Sequence, residues 1–208
     1  MSILDLAPVV PVVVIDRVET AVPLARALVA GGLPAIEVTL RTPCALEAIA
    51  RIAAEVPDAV IGAGTVRTPA DVTASAEAGA RFLVSPGGTP ALLEAMLGSG
   101  VPFLPGASTA SEVMALAERG LTELKFFPAV PAGGIPYLKA LAGPLPEVRF
   151  CPTGGIRPET AAEFLALPNV GCVGGTWLTP ADALATGDYA RVEKLAAEAA
   201  ALRPSSRP

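Results

Sequence analysis

No histidine occurs among the 208 residues of this chain. Zinc catalysis and Ser-His-Asp chemistry both ordinarily rest on imidazole. Proton transfer must therefore fall to a carboxylate, an amine, a phenol, a thiol or bound water. Lysine is nearly as scarce, with only Lys125, Lys139 and Lys194 present. The three cysteines (Cys44, Cys151 and Cys172) are isolated, with no CxxC spacing. They fit reduced core thiols of a cytoplasmic chain better than a disulfide framework. Aromatics make up 4%, so a core drawn from the 52% apolar residues must be built from Ala, Val, Leu and Ile. The net charge of -5 argues against a nucleic-acid partner, which needs a basic patch. No stretch reaches the length of an uninterrupted membrane span, and MSILDLAP has neither the basic nor the apolar region of a secretory signal.

What is present is a regular alternation. Short β-rich runs fall at 9–15, 35–40, 60–66, 81–86, 102–108, 123–128, 148–155 and 170–177, each followed by an Ala/Leu/Glu-rich stretch. Helix starts are signalled by Thr42-Pro43, Thr68-Pro69-Ala-Asp71, Thr109-Ala-Ser111-Glu and Arg157-Pro158-Glu. Glycines such as Gly79, Gly100 and Gly120 stand where helices should end. Strand–helix alternation means βαβ units and a parallel sheet. Eight such units predict an α/β fold of the closed (β/α)8 TIM barrel type, one domain over residues 1–208, with a short frayed tail at about 203–208. A flavodoxin-like or Rossmann sheet is the competing architecture. The first strand, however, leads into VVIDRVETA, without the glycines that approach a pyrophosphate.

In barrels the chemistry sits at the C-terminal ends of the strands, and polar residues collect there. Strand 2 ends Glu37-Val-Thr39-Leu-Arg41, strand 3 ends with Gly64-Thr65, strand 4 with Ser85-Pro86, and strand 7 with Thr153-Gly154-Gly155. Strand 6 carries a lysine, Lys125, inside the apolar run ELKFFP. An amine in bulk water is protonated and a poor nucleophile at neutral pH. Apolar neighbours such as Phe126 and Phe127 favour the free amine, which can attack a ketone and form a Schiff base. Glu37, pointing inward with Thr39, could move protons at the same centre. Arg41 could hold a carboxylate through its planar fork, and Thr65 and Thr153 could orient one by hydrogen bonds. A lone strand lysine is more often a snorkelling residue; it is the pairing with Glu37 at the barrel mouth that points to catalysis. TGGI at 153–156 and GGTW at 174–177 place Gly154, Gly155, Gly174, Gly175 and Thr176 where barrels frequently hold a phosphate. Paired glycines also serve tight turns, so either motif alone would leave both readings open.

Long ordered runs carry a family resemblance: GGLPAIEVTLRTPCALEAI, GAGTV, SPGGTP, PGAST, KFFPA, FCPTGGI, GGTWL and PADAL. Through them, nearly the whole chain resembles bacterial 2-keto-3-deoxy-6-phosphogluconate (KDPG) aldolase and its 2-keto-4-hydroxyglutarate (KHG) aldolase relatives. The resemblance implies a homotrimeric class I lyase of the Entner–Doudoroff pathway, releasing pyruvate and glyceraldehyde 3-phosphate without metal or other cofactor. It implies Lys125 as Schiff-base lysine and Glu37 as general acid/base. Arg41 and Thr65 would clamp the pyruvyl carboxylate, and Pro86, Phe127 and Thr153 would line the site. Gly154, Gly155, Gly174, Gly175 and Thr176 would cradle the phosphate. Two departures stand out: Thr176 where the family often has serine, and the loop AVPAGGIPYL after the lysine strand. The remaining alternatives are a phosphogalactonate aldolase of the same fold, and a phosphosugar isomerase or binding barrel that forms no imine.

Overall fold

The computed structural model describes residues 2–202, so the predicted frayed tail at 203–208 lies outside the described residues. Nine strand segments are present among them, all paired in parallel. They are β1 (Val9–Val13), β2 (Ala35–Thr39), β3 (Val60–Gly64), β4 (Phe82–Val84), β5 (Phe103–Leu104), β6 (Gly106–Ala107), β7 (Glu123–Phe126), β8 (Arg149–Pro152) and β9 (Val173–Gly175). Six of them form one sheet in the order β5-β4-β3-β2-β1-β9, and three form a second in the order β6-β7-β8. The architecture is α/β, a curled parallel sheet with helices between successive strands.

The fifth predicted strand, 102–108, is broken in two. Pro105 stands between β5 and β6 and has no N–H to give a ladder. The run changes partner at that point. Ser85 N–H donates to Leu104 O on the β4 side, and Lys125 N–H donates to Pro105 O on the β7 side. Isolated bridges pair Phe150 with Val170 and Thr153 with Gly174, connecting the β8 and β9 segments.

Helices α1 (Ala21–Ala30), α2 (Ala45–Glu55), α3 (Pro69–Glu77), α4 (Pro90–Gly98), α5 (Ala110–Ala117), α6 (Gly134–Ala142) and α7 (Pro158–Leu165) connect the strands, and α8 (Ala181–Thr186) and α9 (Tyr189–Ala200) follow β9. None is long and apolar enough to cross a membrane. Two of the predicted starts are closed by reciprocal side-chain bonds, Thr68 with Asp71 and Thr109 with Glu112. The Thr42-Pro43 signal does not cap α2. Thr42 Oγ1 donates instead to Ile15 O, and the helix begins at Ala45 after Cys44. At α5, backbone N–H groups of Ser108 and Thr109 both donate to Glu112, and the Ser108 bond contributes most to holding its carboxyl below the usual range. A depressed carboxyl stabilises the fold above its unfolded titration and loses that contribution as pH falls through the folded one. Glu112→Gln is therefore expected to unfold at a lower temperature than the parent at pH 7. The two melting curves should converge in acid, a comparison thermal scans across pH would settle.

Strand alternation divides the interior into two layers. Ile36, Val38, Ile61, Ala63, Leu83, Leu124, Phe126, Phe150 and Val173 face the helices in the main core cluster. Val10, Ala35, Phe82, Val84, Leu104, Cys151 and Cys172 face inward and pack together with Ile3 and Leu4 from the N-terminal turn. Phe82 fills the centre of this inner layer because Gly62 faces it: a Cβ at Gly62 would stand 2.3 Å from the ring. The inner end opposite the strand termini is thus packed solid. Apart from Glu123 and Arg149, which pair with each other where β7 and β8 begin, the polar side chains of the inward face stand at the C-terminal ends of the strands.

Candidate active site

Glu37 and Lys125 share the inward parity of β2 and β7, and the curl of the sheet brings them together. Lys125 Nζ donates to Glu37 Oε1 at 3.2 Å. Lys125 is only 4% exposed and Glu37 3%, so the pair is withdrawn from bulk water. The amine also stands 5.2 Å from the centre of the Phe127 ring, within range of a cation–π contact. Room for the carboxylate comes from Gly64 on the neighbouring strand. A Cβ there would lie 2.2 Å from Glu37 Oε1. Thr39, next inward on β2, is tied down by its hydroxyl donating to Val13 O at 3.0 Å.

Arg41 and Thr65 meet at the rim. Arg41 Nε donates to Thr65 Oγ1 at 3.3 Å, and Leu40 N–H donates to Gly64 O at 2.8 Å, so the two strand ends are laced together. Thr65 has φ of 60°, a left-handed backbone that a β-branched residue seldom takes. Such strained positions cluster at functional sites.

On the opposite side, Thr153 is buried and faces Gly174, where a Cβ would stand 2.2 Å from Thr153 Oγ1. Gly154 and Gly155 follow with φ of 106° and 80°, values a side chain would oppose. Their loop is pinned to the one after β7, with Ala129 N–H donating to Thr153 O and Val130 N–H to Gly154 O.

A cavity of about 240 Å³ opens among these groups. Arg41, Lys125, Phe127 and Thr153 line it, and Gly154, Gly155, Gly174 and Thr176 line its far side. Glu37 sits behind Lys125, in contact with it. Thr65 reaches the rim through Arg41. Pro86 and Gly175 are not among the residues that line the cavity. The Pro86 backbone abuts Gly106, and the ring of Trp177 lies over Gly175, where a Cβ would meet it at 2.5 Å. Val12 and Ile156 also line the cavity, and sequence reasoning named neither as a site residue, since an apolar side chain on a strand (Val12) or in the loop after one (Ile156) carries no mark of what it faces. Gly64 was legible only as part of a strand end. Its need follows from the Glu37 side chain leaning over it.

The Cys172 thiol stays out of the chemistry. A hydrogen bond with Cys151, and then full burial, push the Cys172 thiol well above its ordinary range, which holds it protonated and unreactive. Among the described residues, no three cysteine or carboxylate groups come together that could hold a metal ion. What the site does hold is an amine and a carboxylate in direct contact, an arginine at the rim, and a glycine-lined wall facing a cavity large enough for a small molecule.

The chain has close relatives among known proteins. A family described as "Aldolase: KDPG and KHG aldolase" matches residues 1–195. The chain is 56% identical over 198 residues to the KHG/KDPG aldolase of Escherichia coli K12, covering 95% of this chain and 93% of that one. It is 55% identical over 200 residues to the 2-dehydro-3-deoxy-phosphogluconate aldolase of Dickeya dadantii, covering 96% and 94%. Among solved structures, the KDPG aldolase of Legionella pneumophila, with pyruvate captured at low pH as a covalent carbinolamine intermediate, superposes with a TM-score of 0.93 at 47% identity over 95% of this chain and 96% of that one.

Proposed function

The chain belongs to the KDPG and KHG aldolase family, and from that premise we propose that it is a class I aldolase acting through an imine on Lys125. It cleaves 2-keto-3-deoxy-6-phosphogluconate to pyruvate and glyceraldehyde 3-phosphate, and it also accepts 4-hydroxy-2-oxoglutarate, giving pyruvate and glyoxylate. The observation that carries the reading is the buried contact between Lys125 Nζ and Glu37 Oε1.

An ammonium cannot attack a carbonyl, and Glu37 is the group in place to take its proton. The freed amine adds to the C2 ketone to give a carbinolamine, and loss of water leaves an iminium on Lys125. A base removes the proton of the C4 hydroxyl. The C3–C4 bond then breaks, its electron pair moves toward the iminium, the aldehyde departs, and an enamine of pyruvate remains. Glu37 returns a proton to C3, and hydrolysis releases pyruvate and the amine. Arg41, with Thr65 beside it, holds the keto-acid carboxylate. Phe127 and Thr153 form the walls, and Pro86 shapes the strand-4 end. Gly154, Gly155, Gly174 and Thr176 receive the phosphate, and Gly175, under the Trp177 ring, joins the last two. The cycle asks for no cofactor.

We also read the two sheets as one closed eight-stranded barrel in a single domain. β5 and β6 are halves of one strand divided by Pro105, and the bridges from Phe150 and Thr153 join β8 to the β9 run. A cytoplasmic homotrimer without nucleic-acid or membrane partners is the form the family resemblance implies. The gluconate series is preferred to the galactonate series because relatives at 56% and 55% identity carry gluconate names. An isomerase would use an acid/base pair but form no imine, so a covalent pyruvate adduct on Lys125 is what separates it from the aldolase.

Borohydride trapping tests the mechanism. Incubation with pyruvate, reduction and digestion should yield a mass adduct on the peptide containing Lys125, and none in Lys125→Ala. Pyruvate that binds without forming an adduct would sink the imine reading.

A further inference from the structure

A second and larger cavity, about 510 Å³, adjoins the site. It shares Val12 and Thr176 with the first, so the two are separated by a common wall at the ends of β1 and β9. Half of its lining residues are apolar, and the polar half is of a specific kind. Thr20, Thr176 and Thr179 offer hydroxyls, and Arg17 is the one cation among the residues that line it. The Arg17 backbone is fixed by the turn that follows, where Thr20 donates to Arg17 O through both its N–H and its hydroxyl. Its guanidinium is exposed and enters no ion pair among the described residues.

The charge inventory of the substrate gives this cavity a use. Lys125 and Arg41 are committed to the keto-acid end. The glycine-lined wall and Thr176 offer a phosphate dipoles and a hydroxyl, but no full positive charge. The chain carries a net charge of -5, which opposes the approach of a polyanion. Resting on the aldolase reading above, we propose that the second cavity is the distal subsite of the enzyme, and that Arg17 binds the terminal phosphate of the substrate across Thr176. The contact is a specificity device. The phosphate lies at the far end of the carbon chain from the imine carbon, whereas the distal carboxylate of 4-hydroxy-2-oxoglutarate lies only a few bonds from it. Arg17 therefore favours the phosphorylated substrate and leaves the short dicarboxylate untouched. Asp16 also lines this cavity and carries the opposing charge, so its removal should act with the opposite sign.

The test compares the parent enzyme, Arg17→Gln and Asp16→Asn on both substrates. Arg17→Gln is expected to raise KM for the phosphorylated substrate about five- to tenfold with kcat kept, as for an interaction made equally in ground and transition states. Its KM should also lose most of the parent's dependence on potassium chloride. KM for 4-hydroxy-2-oxoglutarate should not move, and Asp16→Asn should lower KM for the phosphorylated substrate. An unchanged KM in Arg17→Gln, or an equal rise for both substrates, overturns the subsite. Trapping of pyruvate on Lys125 in the same preparations separates that outcome from failure of the aldolase reading, in which the parent itself would form no adduct and cleave neither substrate.

Discussion

Lys125→Met is expected to abolish cleavage and to destabilise the fold at the same time. Removing a covalent nucleophile lowers turnover by roughly five orders of magnitude or more where its partners act as a unit. Here the loss should be at that scale, because nothing else in the cavity can form the iminium: the other cation lining it is Arg41, and a guanidinium stays protonated. The structural effect has a separate cause. Glu37 is 3% exposed, and the substitution leaves its carboxylate buried without the ammonium that faces it at 3.2 Å. Breaking one side of a buried ion pair costs about 3–5 kcal/mol, whereas replacing both partners by groups of similar shape is often neutral. Lys125→Met combined with Glu37→Leu should accordingly recover most of the stability and none of the activity. Lys125→Arg keeps a cation against Glu37 and should retain more stability than Lys125→Met while remaining inactive. Urea midpoints and steady-state rates on the four proteins check both halves. A Lys125→Met protein as stable as its parent would show that the pair does not bind Glu37 in the way the 3.2 Å contact requires.

Much of this site could be read in the residues themselves. Glu37 and Lys125 stood out because a charged residue inside an apolar strand has to be explained, and strand parity alone placed both on one face. The caps at Thr68 and Thr109 were legible because a capping box is local, needing only four consecutive residues. Thr42-Pro43 misled for the opposite reason. The hydroxyl of Thr42 is taken by Ile15 O, a partner 27 residues away that no local signal announces. The fifth strand reads as continuous in sequence because residues 102–107 are all apolar or glycine. Whether a proline merely interrupts a strand or hands it from one neighbour to the next depends on which carbonyls lie alongside, here Leu104 O and Pro105 O serving opposite sides. Pro86 and Gly175 do not line the cavity: the Pro86 backbone abuts Gly106, and the Trp177 ring lies over Gly175, between Gly174 and Thr176, which do.

The inward face also explains how a chain with so few aromatics builds a site at one end only. Inward positions at the packed end carry Val10, Ala35, Leu104 and the thiols around a single large ring, Phe82. At the other end the inward positions alternate between functional side chains and glycine: Glu37 against Gly64, Thr153 against Gly174. Each glycine is the absence that lets its neighbour's polar group reach the cavity. Those glycines are therefore as much part of the site as the groups they admit.

Gly64→Ala puts that argument to a quantitative test. The φ of Gly64 is not in the left-handed region, so alanine suits its backbone, and the nearest obstacle is Glu37. The new methyl would stand 2.2 Å from Oε1, 2.5 Å from Cγ and 2.7 Å from Cδ, a clash with most of the side chain that rotating the carboxylate alone cannot relieve. Glu37 must swing away, and the 3.2 Å contact with Lys125 is lost. A displacement of about 1 Å at a reacting group can cost roughly a hundredfold. We expect kcat to fall on the order of a hundred- to a thousandfold, with pyruvate still trapped on Lys125 but more slowly, since the amine is present and its proton acceptor is misplaced. Gly98→Ala, where an added methyl meets nothing within 4 Å, is the control and should leave turnover unchanged. Combining Gly64→Ala with Glu37→Asp shortens the clashing side chain. The double variant should regain stability relative to Gly64→Ala without regaining activity, because the shortened carboxylate no longer reaches the amine. Full turnover in Gly64→Ala would mean that the carboxylate position seen against Gly64 is not the one that moves the proton.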